Sequence, residues 1–502
     1  MNQRKRGILI TYCTMVINII AGFLYTPYMI KHLGASEYGV FSLSNSLISF
    51  ISLLDLGFNQ TMVRYIAKYR TREDKHYINT LNGFFLKIYL LVGATAIIIG
   101  VILLKLYPIF CRNTFTLEEV SLFKIVFSIL LLNIVISFPM SVFSAALNAY
   151  EKFTFLRLVN MICIIIKYIC IFSLLYLGYH LVTVVLVTCI SAVSIQIFYL
   201  IYCRKVLNMR FEFKKHINKE QSKEICLFSF FIALNLLVDF IYNNTDKLLL
   251  GAICGTTMVS IYTIGIHFFT YFQELSTAIS SVFLPKVVAI YEKTKDMSAL
   301  SHLFLRVGKF QLILLVLVLC GFIACGDDFI LLWVGEGFQE SYIVGLLIMV
   351  PSLISLSQNI GISILWAMNR HKDRSYMQIV VAIFNFIISI PLSIKYGAIG
   401  AAAGTFIMTV MSQIYMNWYY VRKIHLDISG YWINFIKILA TAVPVLILLV
   451  FIKDITGITN WIEFVIYVML YVFVYSLAIW LIYLDKDERK NIFAQVYKIL
   501  KR

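Results

Sequence analysis

Apolar residues run along this chain in blocks of about 20, separated by short clusters of charge. A helix rising 1.5 Å per residue needs roughly 20 such residues to cross a hydrocarbon layer about 30 Å thick. Continuous apolar character, as in Ile125–Ser137 and Val443–Phe451, separates these blocks from the shorter alternating strands of a barrel. The pattern predicts an all-α polytopic membrane protein of about fourteen transmembrane helices. Their cores lie near 8–30, 38–60, 80–104, 123–147, 157–177, 181–203, 225–250, 257–283, 304–325, 340–366, 374–394, 398–420, 433–452 and 460–484. The opening Arg4-Lys5-Arg6 and the apolar run after it are read as a first span rather than a signal peptide, because the run is long and no small-x-small site follows.

Composition agrees, at 61% hydrophobic and 14% charged, against about 45–50% and 25% in soluble domains. The formal net charge of +17 would suggest nucleic acid in a soluble protein. Its distribution points to topology instead. Most Lys and Arg fall at Arg64–Lys75, Arg204–Lys223, Lys286–Lys309 and Lys486–Arg502, all on one side if the N-terminus is cytoplasmic. An even number of spans then returns the C-terminus to the cytoplasm, and nucleic acid is not expected as a partner.

A weak internal repeat runs through the chain at a displacement of about 220 residues. Leu33-Gly34-Ala35 matches Cys254-Gly255-Thr256, and Tyr176-Leu177-Gly178 matches Lys395-Tyr396-Gly397. The expected organisation is a six-helix lobe (1–203), a basic cytoplasmic linker (204–224), a second six-helix lobe (225–421), two further helices (422–484) and a basic tail (485–502). Six helices per repeat place both halves in the same orientation across the membrane, an arrangement in which transporters bind substrate between the halves.

Polar side chains inside spans are costly in lipid and therefore face the bundle or water. Asn235, Asp239, Asn243 and Asp246 share one helical face, beside Lys247; His267, Tyr271 and Glu274 share another. The first half carries Asn18 and Tyr25, then Asn45 and Asp55. Ser and Thr stripes, such as Ser137, Ser141 and Ser144, suit interhelical hydrogen bonding. Lys167 sits mid-span and is ranked above Lys87, which lies near a helix end and can snorkel. Arg64 and Lys68, four apart at a cytoplasmic mouth, suit either positive-inside anchoring or capture of a phosphate. The ten cysteines have irregular spacing and read as apolar filler. The sequence carries no nucleotide-binding loop and no zinc-protease motif.

Tyr25-Thr26-Pro27-Tyr28-Met29-Ile30, His32 through Gly39, Asp55-Leu56-Gly57-Phe58 before Arg64-Tyr65-Ile66-Ala67, Asp246 through Gly251, and Leu284-Pro285-Lys286 together resemble the polysaccharide transport family of Wzx-type O-antigen and exopolysaccharide flippases. That family lies within the superfamily that includes multidrug and toxin extruders. The resemblance implies a non-enzymatic transporter of the bacterial inner membrane, with two lobes around a cavity and alternating access. Its implied substrate is an undecaprenyl-pyrophosphate-linked oligosaccharide, and its implied partners are membrane lipids and polysaccharide polymerase and chain-length machinery. No cofactor is implied; H+ or Na+ held at Asp239 or Asp246 would reconcile two acids with an anionic substrate. A cation-coupled multidrug exporter and a polymerase or ligase are the alternatives. The short external loops disfavour the last.

Overall fold

The computed structural model describes residues 3–484, apart from 73, 214–217 and 369, together with Arg489. Its helices are α1 (Gln3–Ser52), α2 (Phe58–Arg70), α3 (Lys75–Phe110), α4 (Leu117–Ala149), α5 (Phe153–Tyr176), α6 (Leu181–Lys205), α7 (Lys219–Ile253), α8 (Thr256–Thr294), α9 (Met297–Val334), α10 (Glu340–Ser357), α11 (Asn359–Ala367), α12 (His371–Tyr419), α13 (Ile428–Thr456) and α14 (Trp461–Ala478). No strand occurs among the described residues.

Eleven segments among the described residues are long and apolar enough to cross a membrane. Two of them, Ile17–Arg70 (54 residues) and Asp373–Ile424 (52 residues), have the length for two crossings. Each contains a glycine with positive φ, Gly34 (φ 80°) in α1 and Gly397 (φ 57°) in α12. A side chain there would strain the backbone, so glycine lets the chain turn without a loop.

The boundaries differ from the sequence expectation in two places. The segment 38–60 is interrupted at Leu53–Gly57 by a 3-10 turn and two left-handed residues, Leu56 (φ 47°) and Gly57 (φ 71°). Gly57 also lies so close to Ile232 of α7 that a Cβ would not fit. The tenth expected span breaks at Gln358, between α10 and α11.

The chain forms two compact units, Met1–Ser260 and Ile261–Arg502. In the first, α1 packs on α4, α5 and α7, and α4 packs on α3 and α6. The far end of α7 and the first turn of α8 belong to this unit because polar contacts fasten them there. Glu119 closes the capping box of α4 with Thr116 and also accepts from the hydroxyls of Ser36 and Thr256, each at 2.5 Å. Ser260 donates to the Ala35 carbonyl, and Tyr107 to the Leu248 carbonyl at 3.0 Å. The linker after α6 lies along α3: the Glu212 N–H donates to the Asn79 carbonyl (3.1 Å), Asn82 to the Arg210 carbonyl (3.2 Å) and Lys87 to the Phe213 carbonyl (3.0 Å). Lys87 thus reaches the linker backbone from the helix.

In the second unit, α9 packs against α10, α13 and α14. Gln311, fully buried, donates to the Ser276 carbonyl at 3.0 Å, while Ser276 donates to the Leu356 carbonyl at 2.6 Å. Tyr467, Tyr471 and Tyr475 recur every four residues on α14 and are buried. Their hydroxyls donate to the carbonyls of Leu449, Leu317 and Ile313 at 2.6, 2.5 and 2.9 Å, which fixes α14 to α13 and α9. Bonds of this kind are worth roughly 0.6 kcal/mol each in membrane bundles, so their number and regular spacing matter more than any one of them.

Candidate functional site

Helices α1 and α5 bring together residues that are far apart in sequence. Tyr25 meets Tyr168 edge-on with centroids 5.5 Å apart, and Tyr28 meets Phe172 at 5.1 Å. The Lys167 amine lies 4.3 Å from the centre of the Tyr168 ring. Lys167 is half-buried on α5 and forms no ion pair with any described carboxylate. A mid-span amine without a counter-charge is expensive against lipid, so this face of α1 and α5 must offer it water or an anionic ligand. Of the sequence-predicted residues, Tyr25 and Lys167 therefore share one site. Asn18 lies two turns before Tyr25 on α1 and is exposed.

At the end of the same unit, α2 carries Arg64 and Lys68 on its exposed face. The Arg64 guanidinium lies 4.3 Å above the Phe228 ring, and the Lys68 amine is 5.9 and 5.8 Å from the Tyr65 and Tyr69 rings. Neither pairs with a described carboxylate. Arg70 differs, because it donates to the Ala149 carbonyl at 2.7 Å and serves packing. The basic run thus divides into one structural cation and two that stay available to an anion.

Other sequence-predicted residues have their polar groups occupied within the unit. Asn45 donates to the Phe41 carbonyl of its own helix at 2.8 Å. Asp55, at the break after α1, accepts from Tyr89 at 2.7 Å. Asn59 and Gln196 bond the serine stripe of α4, Asn59 to the Ser141 carbonyl (3.2 Å) and Gln196 to the Ser137 hydroxyl (2.7 Å), as interhelical bonding would have it.

On α7, Asp246 is buried, at 4% exposure, and Lys247 beside it forms no ion pair with a described carboxylate. The side chains of Asn235, Asp239 and Asn243 lie outside the described residues. On α8, the His267 and Tyr271 rings stack with centroids 6.5 Å apart, and Glu274 is half-buried one turn further on. The buried Glu274 Oε2 atom has no hydrogen-bond partner among the described residues.

Three elements escaped the sequence reading. Tyr28, Tyr168 and Phe172 join the Lys167 site through helix pairing, although Tyr28 shares a helical face with Tyr25. The buried Gln311 network has no stripe to announce it. Lys453 of α13 pairs with Asp327 (2.8 Å) and Asp328 (2.5 Å) of α9, next to a kink at Cys325; its signal was a charged doublet at the end of an otherwise apolar span. Among the described residues no group of three or more His, Cys, Asp or Glu is arranged to hold a metal ion.

A family model described as polysaccharide biosynthesis protein matches residues 5–291, more than half of the chain. The chain belongs to that family. Similar proteins include AglR of Haloferax volcanii, named a probable flippase, which is 22% identical over 419 residues, covering 82% of this chain and 83% of its own length. EpsK of Bacillus subtilis, named an uncharacterized membrane protein, is 20% identical over 388 residues, covering 75% and 74%. Among solved structures, the lipid II flippase MurJ in an inward closed conformation matches 99% of this chain and 100% of its own, with a TM-score of 0.74 at 15% identity. An inward-facing MATE-family multidrug transporter matches 83% and 98%, with a TM-score of 0.63 at 14% identity. This family member has the MurJ- and MATE-like fold; AglR is named a probable flippase, MurJ a lipid II flippase and the MATE protein a multidrug transporter.

Proposed function

We propose that this family member moves undecaprenyl-pyrophosphate-linked oligosaccharide repeat units from the cytoplasmic to the outer leaflet of a bacterial inner membrane by alternating access. The observation that carries this reading is Lys167: a half-buried cation paired with no described carboxylate, against the Tyr168 ring, which in turn meets Tyr25. That pairing suits a ligand joining an anionic diphosphate to sugar rings, since the amine takes phosphate oxygens and aromatic faces take pyranose C–H surfaces. Arg64 and Lys68, exposed and aromatic-backed, would receive the diphosphate on the cytoplasmic side. A cation-driven drug exporter needs acids at its binding surface, and the α1–α5 site is cationic.

Among the described residues two acids remain for energy coupling. Asp246, buried beside Lys247, and Glu274, with one buried oxygen lacking a described partner, are candidates to bind H+ or Na+ during the cycle, beside Asp239, whose side chain lies outside the described residues. The surface polymer would be O-antigen or a related polysaccharide, with polymerase and chain-length machinery downstream, and both termini would be cytoplasmic.

The test is the leaflet distribution of lipid-linked repeat units in cells lacking the protein. Accumulation on the cytoplasmic face, with loss of surface polysaccharide and rescue by wild type but not by Lys167→Met, is expected. Normal surface display in the deletion strain would sink the reading.

A further inference from the structure

The aromatic residues around Lys167 do not stop at Tyr25 and Tyr168. The pairs Tyr25–Tyr168 and Tyr28–Phe172 advance in the same chain direction on both helices, so α1 and α5 present a parallel ladder. Along α5 the step from Tyr168 to Phe172 is four residues, or about 6 Å at 1.5 Å per residue. His32 extends the ladder by one more turn of α1: its ring lies 4.2 Å from that of Tyr28. Its Nδ1 is 2.9 Å from the Tyr28 carbonyl, so Nδ1–H donates there and Nε2 is left as the acceptor of the ring. Tyr28 and Phe172 are half-buried and His32 is exposed, so neither ring pair is sealed in a core.

We infer that Tyr28, Phe172 and His32 form a saccharide subsite, in which the sugar joined directly to the diphosphate stacks on the Tyr28–Phe172 pair while Lys167 holds the phosphates. This rests on the flippase reading above and deepens it. The spacing carries the assignment, because Phe172 lies five residues, or about 7.5 Å of helix, beyond Lys167, a separation that a pyranose linked through one oxygen to a diphosphate can span. Aromatic rings give it a flat apolar partner at low entropic cost, and the His32 acceptor takes a hydroxyl hydrogen. The ladder runs toward Gly34, so the sugar leads and the diphosphate trails as the headgroup moves along α1. The subsite would make the first sugar, rather than the distal repeat, the discriminated feature.

The test uses the purified full chain in nanodiscs and two probes: a short-chain polyprenyl diphosphate bearing one N-acetylhexosamine, and the same diphosphate without sugar. Phe172→Ala and Tyr28→Ala should each weaken binding of the sugar-bearing probe roughly fivefold to tenfold and leave the sugar-free probe unchanged. Phe172→Leu keeps an apolar side chain but removes the ring and should behave like Phe172→Ala, while Phe172→Trp should retain affinity. Equal loss for both probes would show that the rings only pack α1 on α5, and no loss for either would show that the sugar does not stack there; each overturns the subsite. Binding that depends on Lys167 but is indifferent to the sugar defeats the subsite and leaves the flippase reading standing. If neither probe binds the wild type, both fall.

Discussion

Replacing Lys453 by Met removes a cation held by two acids while keeping most of the side-chain volume. Its amine is 2.8 Å from Asp327, 2.5 Å from Asp328 and 3.2 Å from the Ala324 carbonyl, and the exposures of Lys453 and Asp328 are 16% and 19%. Breaking a buried ion pair by deleting one partner costs about 3–5 kcal/mol, because the remaining charge is left uncompensated. Asp327 is 51% exposed and water takes over its share, so roughly 2–3 kcal/mol is expected here. In a chain of 502 residues, whose unfolding entropy is about 1 kcal/mol/K, that corresponds to a fall in the unfolding midpoint of roughly 2–3 °C. The assay heats the detergent-solubilised protein in steps and measures the folded fraction by size-exclusion chromatography. Adding Asp327→Asn and Asp328→Asn to Lys453→Met should recover most of the loss, because no orphaned charge then remains. An unchanged midpoint in the single variant would show that the triad does not hold α13 on α9. A triple variant as unstable as the single would show that the lysine stem, not its charge, is what matters.

Lys167→Met removes no ion pair to a described residue, so its melting midpoint should stay within about 1 °C of wild type, while binding of a polyprenyl diphosphate in nanodiscs weakens on the order of tenfold to a hundredfold, the scale of a lost hydrogen bond to a charged group; a lowered midpoint with unchanged binding would make the residue structural. Gly34→Ala puts a Cβ at φ 80° and should destabilise by about 1–3 kcal/mol, whereas Ala35→Gly next to it should have a much smaller effect; equal thermal shifts would contradict the turn. Cys111, between α3 and α4, is fully buried and burial pushes its thiol up to about 12, so it holds a thiolate fraction near 10⁻⁴ at pH 8. Peptide mass spectrometry after maleimide treatment should find it unmodified in folded protein and labelled once the protein is denatured.

Class and span pattern were legible in the sequence because membrane insertion is a local requirement: each block of about 20 residues must be apolar, whatever its neighbours do. The glycines at 34 and 397 were visible as members of a repeat. That they turn the chain inside α1 and α12 follows from backbone torsions no periodicity reports. Lys167 was legible as a cost, since a lysine inside an apolar run is expensive wherever the helix ends up. That no described acid pairs with it, and that its neighbour Tyr168 and Phe172 meet Tyr25 and Tyr28, depend on which helix lies beside which.

Stripe spacing settles which residues share a helical face, but not what that face meets. For this reason Asp55, read as a cavity residue, has its carboxylate bonded to Tyr89 at a helix break, and the basic run Arg64 to Arg70 divides into an anchor and two available cations. The Lys453 triad and the Gln311 network were hidden for the same reason: the acids of the triad lie more than a hundred residues from Lys453, and Gln311 belongs to no polar stripe on α9 that would point to Ser276. Sequence alone determined that this chain lives in a bilayer as helices. Tertiary structure decided which of its described polar groups are occupied by one another and which are not, because hydrogen bonds and ion pairs act only over about 3 Å and pairing at that range is a property of packing.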